Sequence, residues 1–210
     1  MAVSLEMRWF EPGNAPEYAS GWFEHGLERE PGMVSTEERI DEYLPVRGCD
    51  HVGIKFRAGE DLELKLREDV FGALLLPAGI VGVPELWRKC AAHASPADDG
   101  FRGADRRTVV KRRMSRKYAY SRSGVAPVTV STRVSAGAVV EVTALHVADV
   151  PWWSFAFEAF DATAAGETAL RETFDAVVRH VLDGYSGAPL REECSYGYPH
   201  WLLSLRNGLR

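Results

Sequence analysis

Cysteine is scarce in this chain and poorly spaced for a framework. Cys49, Cys90 and Cys194 are an odd number with no Cys-x-x-Cys pair. That excludes a disulfide scaffold or zinc knuckle and points to reduced thiols in a cytoplasmic protein. A basic excess is missing too. The formal net charge is −5, and the run from Lys111-Arg112-Arg113 to Arg116-Lys117 divides between two faces of a strand, with only Tyr118 and Tyr120 beside it. Nucleic acid is therefore not an expected partner. Long apolar runs are also absent. The stretch 71–83 is too short for a bilayer and holds Pro77, Gly79 and Gly82, while residues 1–10 read as a strand and not as a signal peptide. No membrane partner is expected. His146, His180 and His200 lack His-x-x-x-His spacing, and the Ser-containing stretches 184–187 and 195–198 form no Gly-x-Ser-x-Gly elbow. A histidine metal site and a nucleophile triad fall away with them. Repeats and low-complexity segments are lacking as well.

What is present suits one domain over residues 1–210. With 46% apolar residues and six Trp, the chain can bury a sizeable core. Gly- and Pro-rich stretches at 11–36 and 94–107 read as loops. Pro84 suits a first helical turn and predicts a short helix over 84–93. Leu170, Phe174, Val177, Val178, Val181 and Leu182 recur at spacings of three and four, which predicts a helix over 167–183 ended by Gly184. Trp152 and Trp153 read as packing residues.

Against those helices stand about eight strands of one kind. In Leu5-Glu6-Met7-Arg8-Trp9, Val52-Gly53-Ile54-Lys55-Phe56-Arg57 and Leu62-Glu63-Leu64-Lys65-Leu66-Arg67, apolar and charged residues alternate. The same pattern recurs around Arg39 and Asp41, around Lys111 and Arg113, at Arg133 in 128–134, at Glu141 in 139–145 and at Glu158 in 153–160. A period of two puts charges on one face and apolar groups on the other. The plain reading is a sheet with one wet face. However, Lys55, Arg57, Lys65 and Arg67, joined by a turn near 58–61, would crowd four cations on one side of a hairpin. Like charges on adjacent strands repel, so such a cluster favours an anion among them. Carboxylates on the same faces could balance the cations or hold a divalent metal.

In order along the chain, these strands resemble those of the CYTH superfamily, the triphosphate tunnel metalloenzymes. Ser4-Leu5-Glu6-Met7-Arg8 resembles the family's Glu-x-Glu-x-Lys opening strand, with Ser4 and Arg8 as departures. Asp41-Glu42-Tyr43, the basic hairpin, Lys111-Arg112-Arg113, the strands of Glu141 and Glu158, and Ser195-Tyr196 are similar to the motifs that follow. The resemblance implies a mainly β (α+β) fold: an eight-stranded antiparallel barrel whose charged faces line a tunnel and whose apolar faces lie under a few helices. It implies substrate contacts from Arg8, Lys55, Arg57, Lys65, Arg67, Lys111, Arg113 and Arg133. It further implies Mg²⁺ or Mn²⁺ on Glu6, Glu141 and Glu158, with Lys65 and Glu158 as catalytic residues. The partner would be a phosphorylated small molecule or inorganic polyphosphate, hydrolysed with the metal's help. A non-catalytic polyanion binder on the same fold is the alternative, because Ser4 removes a carboxylate. A third reading inverts the barrel around a lipophilic ligand. With few helices to cover the outer face, a homodimer is an expected way of covering the remainder.

Overall fold

Eight strands close on themselves. The computed structural model describes residues 2–26, 33–57, 61–94, 101–162, 166–187 and 189–208. The strands are β1 (Ala2–Pro12), β2 (Ser35–Tyr43), β3 (Val52–Arg57), β4 (Asp61–Val70), β5 (Leu74–Leu75), β6 (Val81–Gly82), β7 (Glu85–His93), β8 (Arg107–Ser121), β9 (Gly124–Val128), β10 (Ala136–Val147) and β11 (Val150–Asp161). The helices are α1 (Glu17–Gly21), which runs into a π turn over Trp22–Gly26, α2 (Glu167–Leu182) and α3 (Tyr198–Gly208). The sheet runs β10-β11-β1-β7-β4-β3-β2-β8, and β8 pairs back onto β10. Every one of these pairings is antiparallel. Closure leaves the barrel no open edge. β9 folds back on the end of β8, and β5 with β6 forms a separate two-stranded arm. The expected mainly β, eight-stranded antiparallel barrel with a few helices is the fold observed.

β1 shows how alternation builds this wall. Leu5, Met7 and Trp9 face outward into a core with Phe155, Phe157, Val140 and Val142. Glu6 and Arg8 face inward. Helix α2 covers that outer core with the stripe Leu170, Phe174, Val177, Val178 and Val181, all buried. Its three- and four-residue spacing makes one face apolar, which is why the helix lies flat on the barrel. Ile40, Leu66 and Val110, on β2, β4 and β8, are exposed instead.

A second core sits inside one end of the barrel. Phe10, Tyr43, Val109 and Leu145 meet Trp201 and Leu202 of α3 there. Trp201 is fully buried and stacks on Phe10 at 4.7 Å between ring centroids. Helix α3 thus plugs that end and turns a tunnel into a pocket. Gly197 lets its first residues approach the wall, since a Cβ there would lie 2.7 Å from a Glu85 carboxylate oxygen and 2.8 Å from Trp87.

Two local expectations are corrected. The segment expected as a helix over 84–93 is a strand over 85–93. β7 pairs with both β1 and β4, and the ring needs it to close. Cross-strand bonding on both edges outweighs the helix signal of Pro84. The strand expected at 128–134 ends at Val128. Beyond it the chain turns, with Thr132 donating its amide to the Thr129 carbonyl. The turn at 58–60 and parts of the loops at 11–36 and 94–107 lie outside the described residues.

Candidate functional site

The inner faces of the strands enclose a pocket of about 230 Å³. Eight basic side chains line it: Arg8, Arg39, Lys55, Arg57, Lys65, Lys89, Lys111 and Arg113. Five glutamates join them: Glu6, Glu63, Glu85, Glu141 and Glu158. Tyr43 and Tyr198 pave the plugged end. Asp41 and Glu37 pair with these bases too, so the cations outnumber the carboxylates by only one.

The deepest group is Asp41, with no exposed surface. Lys55 and Lys111 reach its Oδ2 at 3.0 and 2.9 Å, and Arg39 Nε lies 3.3 Å from Oδ1. Burial alone would raise the Asp41 pKa, but Lys111, Lys55 and Arg39 outweigh it and hold the carboxyl well below its usual range. Lys111 also donates to the Tyr43 hydroxyl at 2.6 Å and sits 4.0 Å from the centre of the Tyr198 ring.

Above this floor the charges interlock. Glu141 accepts from Arg8 at 3.1 Å on one oxygen and from Arg113 at 2.6 Å on the other. Despite burial, those two guanidinium groups lower its pKa to about 2. Arg8 also donates to the Ser154 hydroxyl at 3.3 Å. Glu63 is shared by Arg57 at 2.9 Å, Lys89 at 3.1 Å and Lys55 at 3.5 Å. On the opposite wall Glu6 and Glu158 are cross-strand partners on β1 and β11. Lys65 is 2.5 Å from Glu6 and 3.8 Å from Glu158. The Glu6 charge raises the Glu158 pKa, chiefly by direct repulsion.

Most of the expected binding residues therefore converge. Arg8, Lys55, Arg57, Lys65, Lys111 and Arg113 share the pocket. The four basic residues of the β3–β4 hairpin do share a face, but not as an all-cation cluster, because Glu63 stands directly across from Lys55. Arg67 is drawn aside by Glu85 at 2.7 Å and Asp50 at 3.0 Å and does not line the pocket. Arg133 is corrected outright: it lies exposed in the turn after β9, because the strand that would have aimed it inward has ended. Glu141 does not join Glu6 and Glu158 in one set, as both its oxygens serve arginines. Among the described residues no group of three or more His, Cys, Asp or Glu side chains is placed to hold a metal ion. Sequence reasoning missed Glu85 and Lys89. Their signal was the alternation Glu85-x-Trp87-x-Lys89, masked by the helix assigned there.

No helix among the described residues is long and apolar enough to cross a membrane. Neither a protein-family model nor a curated protein sequence matches this chain.

Proposed function

We propose that the barrel pocket binds a compact phosphorylated anion, such as tripolyphosphate or the triphosphate moiety of a larger molecule, in the manner of the triphosphate tunnel enzymes its strand motifs resemble. The observation that carries this reading is the convergence of eight Lys and Arg side chains on a cavity of about 230 Å³ with fewer carboxylates to balance them. Such a volume is below that of pockets built for drug-sized ligands, so the occupant is small and densely charged. The more accessible cations, Arg57, Lys65, Lys89 and Arg113, stand where an entering ligand meets them first. Charge-assisted hydrogen bonds from them to phosphate oxygens are the strong kind.

Hydrolysis would rest on Glu6 and Glu158. These two hard oxygen donors on neighbouring strands suit Mg²⁺ or Mn²⁺, and their mutual repulsion is relieved by a cation between them. A metal bound there would neutralise charge on a phosphoryl group. Lys65, within reach of both carboxylates, would orient a phosphate oxygen beside them. The binding-only reading is favoured by one specific observation: with Ser4 in place, Glu141 engaged by two arginines and Glu85 engaged by Arg67 and Trp87, only that pair of carboxylates is left.

Calorimetric titration with tripolyphosphate, with and without Mg²⁺ or Mn²⁺, tests the proposal together with a phosphate-release assay. Lys65→Ala should weaken binding about tenfold, the loss of one charge-assisted contact. Glu158→Gln should leave binding and remove metal-dependent turnover. Binding without turnover under any metal makes the protein a binder. No binding of any polyphosphate refutes the function and leaves the fold.

A further inference from the structure

At the floor of the pocket two amines compete for one carboxylate oxygen. Lys55 on β3 and Lys111 on β8 both contact Asp41 Oδ2, at 3.0 and 2.9 Å, so their nitrogens lie within about 6 Å of each other, close enough for strong mutual repulsion in a partly dry site. The Lys111 side chain is 3% exposed and the Lys55 side chain 12%. Bulk water therefore does little to screen them.

The surroundings do not supply enough negative charge. From β2 come Asp41, Arg39, the Tyr43 phenol and Glu37, which Arg39 shares with Arg113, and from β1 comes Arg8. β3 adds Arg57 and β4 adds Glu63, which must also serve Lys89 of β7. Arg113 of β8 and Glu141 of β10 are tied to each other, and Glu141 to Arg8 as well. From α3 comes the Tyr198 ring. Three carboxylates, Asp41, Glu63 and Glu37, thus serve five cations, Arg39, Lys55, Lys111, Arg57 and Lys89, and Glu37 is shared with Arg113 as well.

We propose that Lys55 and Lys111 form an anion subsite that loads its ligand together with a proton. In the free protein the pair carries less than its full two charges at neutral pH. A doubly charged oxyanion of the ligand, seated against the two amines, supplies the counter-charge that Asp41 alone cannot, and the neutral amine takes a proton from solvent. No covalent bond changes, and the proton leaves again when the ligand does. The proposal rests on the anion-binding reading and adds the protonation step to it. Electrostatics agree with the geometry. Burial first, and then the neighbouring Lys111, lower the Lys55 pKa to about 7. Burial, with help from Arg39 and Arg8 and against the pull of Asp41, lowers that of Lys111 to about 7 as well.

The experiment is calorimetry of tripolyphosphate binding at pH 7.5 in buffers of different ionisation enthalpy, which counts protons exchanged per ligand. The wild type is compared with the double variant Lys55→Arg/Lys111→Arg. Arginine stays charged, so the variant has no titrating amine at the subsite, and the ligand's own proton chemistry cancels in the comparison. The wild type should take up at least about half a proton more than this variant. Equal proton counts in proteins that both bind tripolyphosphate would overturn the subsite and leave the anion-binding reading intact. No binding by the wild type overturns both. Should the arginine variant fail to fold, wild-type protein carrying ¹³C-labelled lysine decides the matter by NMR. Two lysine Cε signals should titrate near pH 7 in the free protein and move up by more than about one pH unit with ligand, as a group gaining an opposite charge must. Lysine signals that all titrate in the ordinary range without ligand overturn the proposal.

Discussion

Glu141 is a carboxylate whose loss should be felt strongly. It balances Arg8, which is buried, and Arg113. Removing one partner of a buried ion pair leaves an uncompensated charge, so Glu141→Gln should cost about 3–5 kcal/mol in urea unfolding. The pH dependence has a definite sign. The folded pKa of Glu141 is lowered to about 2 from an ordinary 4.5. Its stabilisation is therefore complete above the ordinary value and is lost as pH falls from there towards 2. The wild type should lose stability more steeply than Glu141→Gln over that interval; parallel curves would show that Glu141 gains nothing from its arginines. The residue scale is also where the sequence was most readable. Alternation alone placed Arg8, Lys55, Arg57, Lys65, Lys111 and Arg113 on one face. It could not tell that Arg67 would turn to Glu85 and Asp50, because those partners come from β7 and from the β2–β3 connection.

At the scale of elements, α2 and α3 do different work. Helix α2 lies outside, and Phe174 meets Phe157 at 6.3 Å between ring centroids. Phe174→Ala should cost about 3–5 kcal/mol, as for other large-to-small changes in a core, and a loss under about 1 kcal/mol would make the helix peripheral. Helix α3 lies across the barrel end, so Trp201→Ala should both destabilise the fold by a similar amount, about 3–5 kcal/mol, and weaken anion binding by loosening the floor around Tyr198. Unchanged affinity in a folded Trp201→Ala protein would separate the plug from the pocket. The sequence announced α2 through its spacing. It did not announce α3, whose aromatic residues pack into the barrel's own interior and carry no apolar stripe legible apart from it. β7 was misread for a related reason: a nine-residue strand bonded on both edges answers to its neighbours more than to its own propensities.

For the whole molecule, the closed wall packs charges of both signs where water is limited, and this links stability to pH in the alkaline direction. Lys55 and Lys111 are lowered to about 7 in the folded protein, against an ordinary lysine value of 10.5. Below pH 7 both amines are charged in both states, and the folded state bears the full cost of their burial. As pH rises from 7 to the ordinary lysine range, the unfolded chain holds protons that the folded protein has released, so stability increases. Urea unfolding should show the wild type gaining stability over this range, and the gain should shrink in Lys55→Met and in Lys111→Met. A wild-type curve that is flat or falls would mean that both lysines stay charged.

The sequence by itself determined that this chain makes amphipathic strands, seven of the eight that close the barrel, and which of their residues share a face, because the side chains of an extended strand alternate with a period of two whatever they pack against. It determined α2 for the same kind of reason. Only the tertiary structure decided which face is inside. Closure of β8 onto β10 turned the charged faces inward, and α3 then sealed one end. Tertiary structure alone also decided the pairings, setting Asp41 between Lys55 and Lys111, Glu141 between Arg8 and Arg113, and Glu6 beside Glu158. Those contacts join residues up to 152 positions apart, Glu6 with Glu158, through the register of strands around a closed ring, and no local pattern in the chain specifies that register.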